Sequence, residues 1–373
     1  MNWSSHGSAV APEQLSDRPR VLTVVGNRPQ FIKAAAVSGP LREVADEILV
    51  HTGQHYDEAM SKVFFDELGI PTPDFDLGIS GGSNEEQVEE MTAKLVDRIT
   101  EANPEWVLLY GDTNSTLAGA LAAEQVGVPV AHVEAGMRSF DMTMPEEVNR
   151  IETDKRSALL LCSTESAIEN LEKEGIRGEA LLIGDVMADV VRMVSQRLEG
   201  RAQILKRFEV EQGSYLLVTA HRAGNVDTEA GLTQLIEVLE ALPGAKVFPV
   251  HPRTLARCNE FGVKARLEQV EGLRLCEPLG YLDFQCLLAN ASALVTDSGG
   301  AQKEAYLHGV RCVTLRTTTE WTETIEVGWN SLVGLDPVEA AKALDKSLPD
   351  GRPALYGDAR AGERVVAALR LGA

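Results

Sequence analysis

Ala293-Leu294-Val295-Thr296-Asp297-Ser298-Gly299-Gly300-Ala301-Gln302-Lys303-Glu304 is the stretch on which the fold turns. Four apolar or β-branched residues read as a short buried strand. Asp297 and Ser298 end it, and a helix begins around Gly300. Ser298 suits the cap of that helix, because its hydroxyl can accept a backbone N–H of the first turn. Gly299 and Gly300 bare the backbone there, so a phosphate can reach the N–H groups and the positive end of the helix dipole. Glu304, one turn along, is placed to accept both hydroxyls of a ribose. The same residues also describe a capped helix start with no ligand.

Working outward, strand-like runs alternate with longer amphipathic segments. The runs lie at 21–25, 47–51, 106–110, 129–133, 158–162 and 180–183, then at 215–219, 246–250, 273–276, 293–296 and 312–315. Helix-like segments such as 31–44, 85–101, 165–174, 230–241 and 282–289 separate them. This β-α alternation implies parallel sheets covered by helices on both faces. Two series imply two doubly wound domains, at 20–185 and 186–355, with 187–208 as a connecting helix. A chain of 373 residues suits two such domains. Ligands of open parallel sheets sit beyond the carboxyl ends of the strands, so a cleft between the two domains is the expected site.

Composition narrows the partners. The formal net charge of -21 repels nucleic-acid phosphate and anionic lipid, so neither a nucleic acid nor a membrane is expected as a partner. An anionic substrate would have to be held by local cations and backbone donors. The five cysteines form no CxxC pair and read as reduced thiols, as in a cytoplasmic protein. The seven histidines show no ligand spacing, so no metal is expected. Residues 1–19 are polar, lack a secretory core and read as a disordered tail. No stretch reaches the roughly 20 apolar residues that a membrane helix needs.

The chemistry-bearing residues follow the strands. Gly26-Asn27-Arg28-Pro29-Gln30-Phe31-Ile32-Lys33 is a strand-to-helix turn with Pro29 in the first helical turn. Arg28 sits where a phosphate would meet the helix, with Lys33 a turn further on; an ordinary turn with a surface arginine reads equally well. The turn is neither a Walker A loop nor GxGxxG, which gives no support to nicotinamide binding. His51-Thr52-Gly53-Gln54-His55-Tyr56 could hydrogen-bond a sugar or pyrophosphate, or could be a turn with satisfied polar groups. Asp112 and Glu134 end adjacent strands, and Glu146 opens the next helix, where an acidic residue also suits the dipole. Clustered carboxylates disfavour joint ionisation, so one is expected to keep a proton and the group can serve as acid and base. His221 with Arg222, and His251, follow strands of the second series and suit a pyrophosphate.

The segments GNRPQFIK, HTGQHYD, YGDTNSTLAGA, HVEAGMRS, MPEEVNR, TAHR, PVHP, YLDF and TDSGGAQKEA, in this order, resemble the non-hydrolysing UDP-N-acetylglucosamine 2-epimerases. The match runs from about Val21 to the end. The resemblance implies two Rossmann-like doubly wound domains facing across a cleft, the GT-B-type architecture, with 356–373 packing back on the first. It implies that UDP is eliminated from a UDP-sugar to leave a 2-acetamidoglucal and then adds back after the carbon 2 proton returns to the other face. Asp112, Glu134 and Glu146 would handle that proton. His221 would be catalytic, near the diphosphate and the leaving oxygen; Arg28 and Lys33 would supply cations, and Ser298, Gly299, Gly300 and Glu304 would clamp the nucleotide. No redox cofactor or metal is implied, and a homodimer is. Gln54 and His55 fall in a segment matching one where a second UDP-N-acetylglucosamine can bind as an activator.

The sequence departs from the frequent pattern at four places. Asn27 stands for Thr, Gln30 for Glu and Lys303 for Glu, and Thr319-Glu320-Trp321-Thr322-Glu323 stands for Thr-Glu-Arg-Pro-Glu. Relatives acting on UDP-2,3-diacetamido-uronic acids keep the same chemistry. A hydrolysing epimerase would instead release free N-acetylmannosamine. A glycosyltransferase would need an acceptor site and has less use for three acids. A non-catalytic binding protein would keep its effect after Asp112→Asn.

Overall fold

The first strand, β1 (Arg20–Val25), shows why the chain layers as it does. Val21 and Val25 point into one core and Leu22 and Val24 into another, because successive side chains of a strand leave opposite faces. Both faces are therefore apolar, and both are covered by helices. The structure is a computed structural model that describes residues 18–53, 69–198, 201 and 203–371. The tail expected over 1–19 lies outside these but for its last two residues.

Seven parallel strands form the first sheet: β1, β2 (Asp46–His51), β3 (Phe75–Asp76), β4 (Trp106–Tyr110), β5 (Val130–Val133), β6 (Leu159–Cys162) and β7 (Glu179–Leu182). Their order is β3-β2-β1-β4-β5-β6-β7. Six parallel strands form the second: β8 (Tyr215–Thr219), β9 (Ala245–Pro249), β10 (Leu273–Cys276), β11 (Ala293–Thr296), β12 (Arg311–Thr314) and β13 (Asn330–Leu332), in the order β10-β9-β8-β11-β12-β13. Each order reverses once, between β1 and β4 and between β8 and β11. Those reversal points open a crevice at the strands' carboxyl ends.

β3 and β13 were not expected. They are edge strands of two and three residues, too short to show a pattern. The connecting segment 187–208 resolves into the Val186–Leu198 and Gln203–Arg207 helices rather than one. The Arg28–Val44 helix runs through Pro40, which cannot donate to the Ala36 carbonyl. The terminal Ala361–Ala368 helix packs there through Gly362, whose Cα lies so near that a Cβ would come 2.1 Å from that carbonyl oxygen. Asp189, on the Val186–Leu198 helix, accepts the N–H groups of Ala361 and Gly362, each at 3.0 Å, and so caps the terminal helix. All five cysteines are free thiols, and burial pushes Cys162 and Cys312 up to about 12. Among the described residues no helix is long and apolar enough to cross a membrane.

Candidate active site

At the first reversal point the turn is plugged. Asn27 caps the Arg28–Val44 helix by accepting from the Gln30 N–H at 3.2 Å. The Gln30 amide fills the space behind. Its oxygen accepts from the Gly26 N–H at 2.7 Å, and its nitrogen donates to the Tyr110 carbonyl at 2.7 Å and Thr116 Oγ1 at 2.9 Å. Gly26 is forced to be glycine, since a Cβ would lie 1.9 Å from Ser115 Oγ. A phosphate therefore has no open backbone nest at this helix start. Arg28 is exposed and its charge acts across the cleft on Glu304 and Tyr281 of the second domain. Lys33 points inward and pairs with Glu134.

Asp112, Glu134 and Glu146 come from three neighbouring loops. Glu134 is buried and sits at φ +69°, a left-handed conformation that a side-chain-bearing residue holds only when its surroundings fix it. The surroundings do so through Asp154. One carboxylate oxygen meets His132 Nδ1 at 2.7 Å; the other accepts from the Gly136 N–H at 3.1 Å and pairs with Arg138 at 2.8 Å. His132 Nε2 meets the Gly111 carbonyl at 2.7 Å, which ties the loop of Asp112 to the loop of Glu134. Glu134 receives Lys33 on one oxygen and Lys303 Nζ on the other, at 3.1 Å, so two ammonium groups outweigh burial and hold its carboxyl well below the usual carboxylate range.

The proton-sharing expected from crowded acids is thus not what the structure presents at Glu134. Glu134 has two lysines instead, and Arg150 pairs with Asp112. Asn149 adds an amide to the Asp112 carbonyl at 3.1 Å. Glu146 is exposed and lines the cleft. Its neighbour Glu147 is buried, accepting from the Ser139 N–H, the Ser139 hydroxyl and the Phe140 N–H at 2.9–3.0 Å.

The second reversal point is open. Asp297 is fully buried and accepts from the His221 N–H at 3.0 Å, the Arg222 N–H at 2.9 Å and Asn225 Nδ2 at 3.1 Å. This fixes the His221 loop beside the Gly299–His308 helix, leaving the His221 ring partly exposed. The His251 ring lies 5.4 Å from it, and burial with the nearby His221 and Arg253 lowers the His251 pKa. Ser298 caps the Gly299–His308 helix through the Ala301 N–H. A Cβ on Gly300 would meet nothing within 4 Å. Glu304, by contrast, is buried, accepts the Tyr281 hydroxyl at 3.0 Å, and has its pKa raised by burial.

A cleft of about 230 Å³ joins the two reversal points, walled by Asp112, Glu146 and Arg150 on one side and by Arg222, Gly299, Gly300 and Trp321 on the other. Asp112 and Glu146 face one end of a bound molecule; Arg222 and the Gly299–Gly300 helix start face the other, together with the Glu320 carboxylate, which pairs with Arg316 at 2.9 Å and Arg222 at 3.6 Å. Such a site can move a proton at one atom while holding a phosphate that leaves the next. Gln54 and His55 lie outside the described residues; His51 is buried against the Phe31 ring and pairs with Asp76. Among the described residues no three His, Cys, Asp or Glu side chains converge to hold a metal ion.

Sequence reading assigned no role to Asp154, Arg150 or Asp297, and marked Lys303 only as a departure from the family pattern. Asp297 stood inside the quoted motif and was findable as a buried polar group at a strand end. The other three act on partners 18 to 169 residues away, between segments that only the fold brings together.

The UDP-N-acetylglucosamine 2-epimerase family model matches residues 41–370. The chain is similar to the UDP-N-acetylglucosamine 2-epimerase homolog of Methanococcus maripaludis, 43% identical over 354 residues that cover 94% of this chain and 99% of that one. It is equally similar to the UDP-2,3-diacetamido-2,3-dideoxy-D-glucuronate 2-epimerase of Pseudomonas aeruginosa, 43% identical over 358 residues covering 93% and 98%. The crystal structure of Methanocaldococcus jannaschii UDP-GlcNAc 2-epimerase in complex with UDP-GlcNAc and UDP superposes with a TM-score of 0.86 at 38% identity, covering 94% of this chain and 99% of that one. With its two parallel sheets and the cleft between them, the chain belongs to the UDP-N-acetylglucosamine 2-epimerase family.

Proposed function

We propose that this chain is an isomerase that interconverts UDP-N-acetylglucosamine and UDP-N-acetylmannosamine by eliminating UDP and adding it back. The observation that carries this is the arrangement of the cleft, with Asp112 and Glu146 opposite the start of the Gly299–His308 helix and Glu134 buried beneath, against Lys303 of that helix. A carboxylate takes the carbon 2 proton, and the electrons of that C–H bond become the C1=C2 double bond. The C1–O bond breaks and its pair leaves on the UDP β-phosphate. A proton is then delivered to the opposite face of carbon 2, and the same oxygen re-forms its bond to carbon 1. Neither electrons nor water enter the balance.

Glu134, held ionised by two lysines, carries no proton at neutral pH and can accept one, while the same lysines weaken it as a base. Asp112 and Glu146 line the cleft and suit delivery from the other side. The second domain holds the diphosphate through His221, His251, Ser298, Gly299 and Gly300. Arg28 and Lys33 add positive charge from the first domain, and Glu304 serves the nucleoside end. Carbon 2 is a weak acid, so stabilising the departing UDP is what makes proton loss feasible.

A second reading keeps this chemistry and changes the sugar to a UDP-2,3-diacetamido-uronic acid, supported by the Pseudomonas aeruginosa relative. Incubation with each sugar nucleotide, followed by proton NMR, separates the two. Epimer from UDP-N-acetylglucosamine supports the first reading; epimer only from the uronic acid replaces it with the second. Free N-acetylmannosamine as the main product would indicate the hydrolysing reaction.

The proposal extends to a cytoplasmic homodimer of units 20–185 and 186–355, with 356–373 returning to the first. An apolar groove of about 720 Å³ between the Asn84–Ala102, Asn114–Val126 and Pro145–Arg156 helices supports pairing of two copies, and light scattering would read the mass directly.

A further inference from the structure

Two of the positions at which the sequence departs from the frequent family pattern, Lys303 and Trp321, touch each other. Lys303 Nζ lies 4.3 Å from the centre of the Trp321 ring and 5.9 Å from that of Tyr356. The same nitrogen donates to Glu134 Oε1 at 3.1 Å and to Asp185 Oδ2 at 2.5 Å. Lys303 is 2% exposed and Asp185 is fully buried. A lysine on a helix of the second domain therefore enters the first domain beneath the cleft. Two carboxylates accept hydrogen bonds from its ammonium group, and aromatic faces cover it.

Trp321 has a second task. Its Nε1–H donates to the Gly299 carbonyl at 2.8 Å, at the open helix start. A continuous line of contacts thus runs from Gly299 through Trp321 and Lys303 to Glu134. Each departure requires the other. A glutamate at 303 would face two buried carboxylates, and an arginine at 321 would face the buried ammonium; a buried charge keeps its place only while its partners stay complete.

We propose that Lys303, roofed by Trp321, is a positioning residue that aims the Glu134 carboxylate at carbon 2 and couples that aim to occupation of the anion site at Gly299 and Gly300. The inference rests on Glu134 being the group that removes the proton. The charged groups facing Glu134 are Lys33 from the Arg28–Val44 helix and Lys303 from the Gly299–His308 helix. Lys303 also faces Asp185 and acts on Glu304 of its own helix, while the Tyr356 hydroxyl beside it donates to Glu323 at 2.7 Å. Removing the Lys303 charge leaves Lys33 alone on Glu134, so the Glu134 carboxyl becomes easier to protonate.

The test compares wild type with Lys303→Met, Lys303→Arg, Lys303→Glu, Glu134→Gln and the double variant K303E/W321R. It measures kcat, KM and their pH profiles, with UDP binding by calorimetry. Lys303→Met should lower kcat by about 100-fold. It should raise the acid limb of the kcat profile by about one pH unit, with the UDP Kd within about threefold. Lys303→Arg keeps the charge and should restore the acid limb while kcat stays about tenfold down. The double variant should exceed K303E alone. Should Lys303→Met not fold, Lys303→Arg carries the test, and a wild-type kcat there overturns the proposal. A wild-type kcat and acid limb in Lys303→Met, with Glu134→Gln inactive, sinks the positioning role and leaves the Glu134 reading standing. An active Glu134→Gln sinks that reading itself.

Discussion

The chain builds one device twice and uses it in opposite ways. After β1 and after β11, a strand ends, a small polar residue caps a helix, and a buried polar side chain stitches two strands together. In the first domain the stitch is Gln30, joining the ends of β1 and β4; in the second it is Asp297, joining β11 to the loop after β8. The difference lies in where the stitching group sits. Gln30 is on the helix and plugs its start. Asp297 precedes the helix and leaves the start open at Gly300, with Trp321 and the ion-paired Glu320 beside Gly299. The first turn is therefore solid ground for the loops that carry Asp112 and Glu134, whereas the second is a socket for an anion. A helix N-terminus is an anion site only when nothing of the protein's own occupies it.

The comparison breaks most readily at Glu134. Glu134→Gln should cut kcat by about 1,000-fold, roughly 4 kcal/mol of activation free energy, with UDP binding nearly unchanged. Comparable losses of turnover and UDP affinity would mean the two domains do not divide the work. Next comes the plugged turn. Gly26→Ala drives a methyl into Ser115 and Thr52, and should cost about 3 kcal/mol of stability in urea unfolding of the first domain. Unchanged stability would show that the turn is not closed.

Acid should separate the two domains. Burial holds His308, on the socket helix, at about 4, below its ordinary 6.5. Its folded pKa is depressed, so the unfolded chain takes up the proton first. Stability of the second domain then falls as pH drops from about 6.5 toward 4, by about 2 kcal/mol between pH 7 and 5. Glu134 loses stability in the same direction but over a lower pH range, because its folded pKa is also depressed. Its stabilisation is present above its ordinary 4.5 and is lost only as pH falls below that. His308→Gln should flatten the loss between pH 7 and 5, and an unaltered slope would place the acid sensitivity elsewhere. The smallest effect belongs to Gly300→Ala. It should raise KM about tenfold, about 1.4 kcal/mol, by narrowing the socket, while leaving stability equal or slightly higher, since alanine favours a helix. An unchanged KM would remove the anion from that helix start.

Much of this fold was legible because parallel strands buried on both faces are short unbroken apolar runs. Those runs placed eleven of the thirteen strands to within a residue at either end. β3 and β13, at the sheet edges, are too short to carry a signal. The acids of the site were legible because Asp112 and Glu134 follow strand ends and Glu146 opens a helix. Their charges were not. Nothing local to Glu134 announces Lys33 and Lys303, which arrive from 101 and 169 residues away and reverse the protonation expected from crowded acids. The surroundings of Arg28 were illegible for a related reason. Its place at a helix start suited phosphate, but Gln30 fills that turn, and Arg28 turns to the second domain.

The account rests on a proton leaving carbon 2 for a carboxylate and returning from another. The most direct measurement is proton NMR of carbon 2 while the protein turns over UDP-N-acetylglucosamine in deuterated water. The account predicts deuterium at carbon 2 of the epimer formed, and its loss in Glu134→Gln. Epimer appearing with its original carbon 2 proton intact would contradict it.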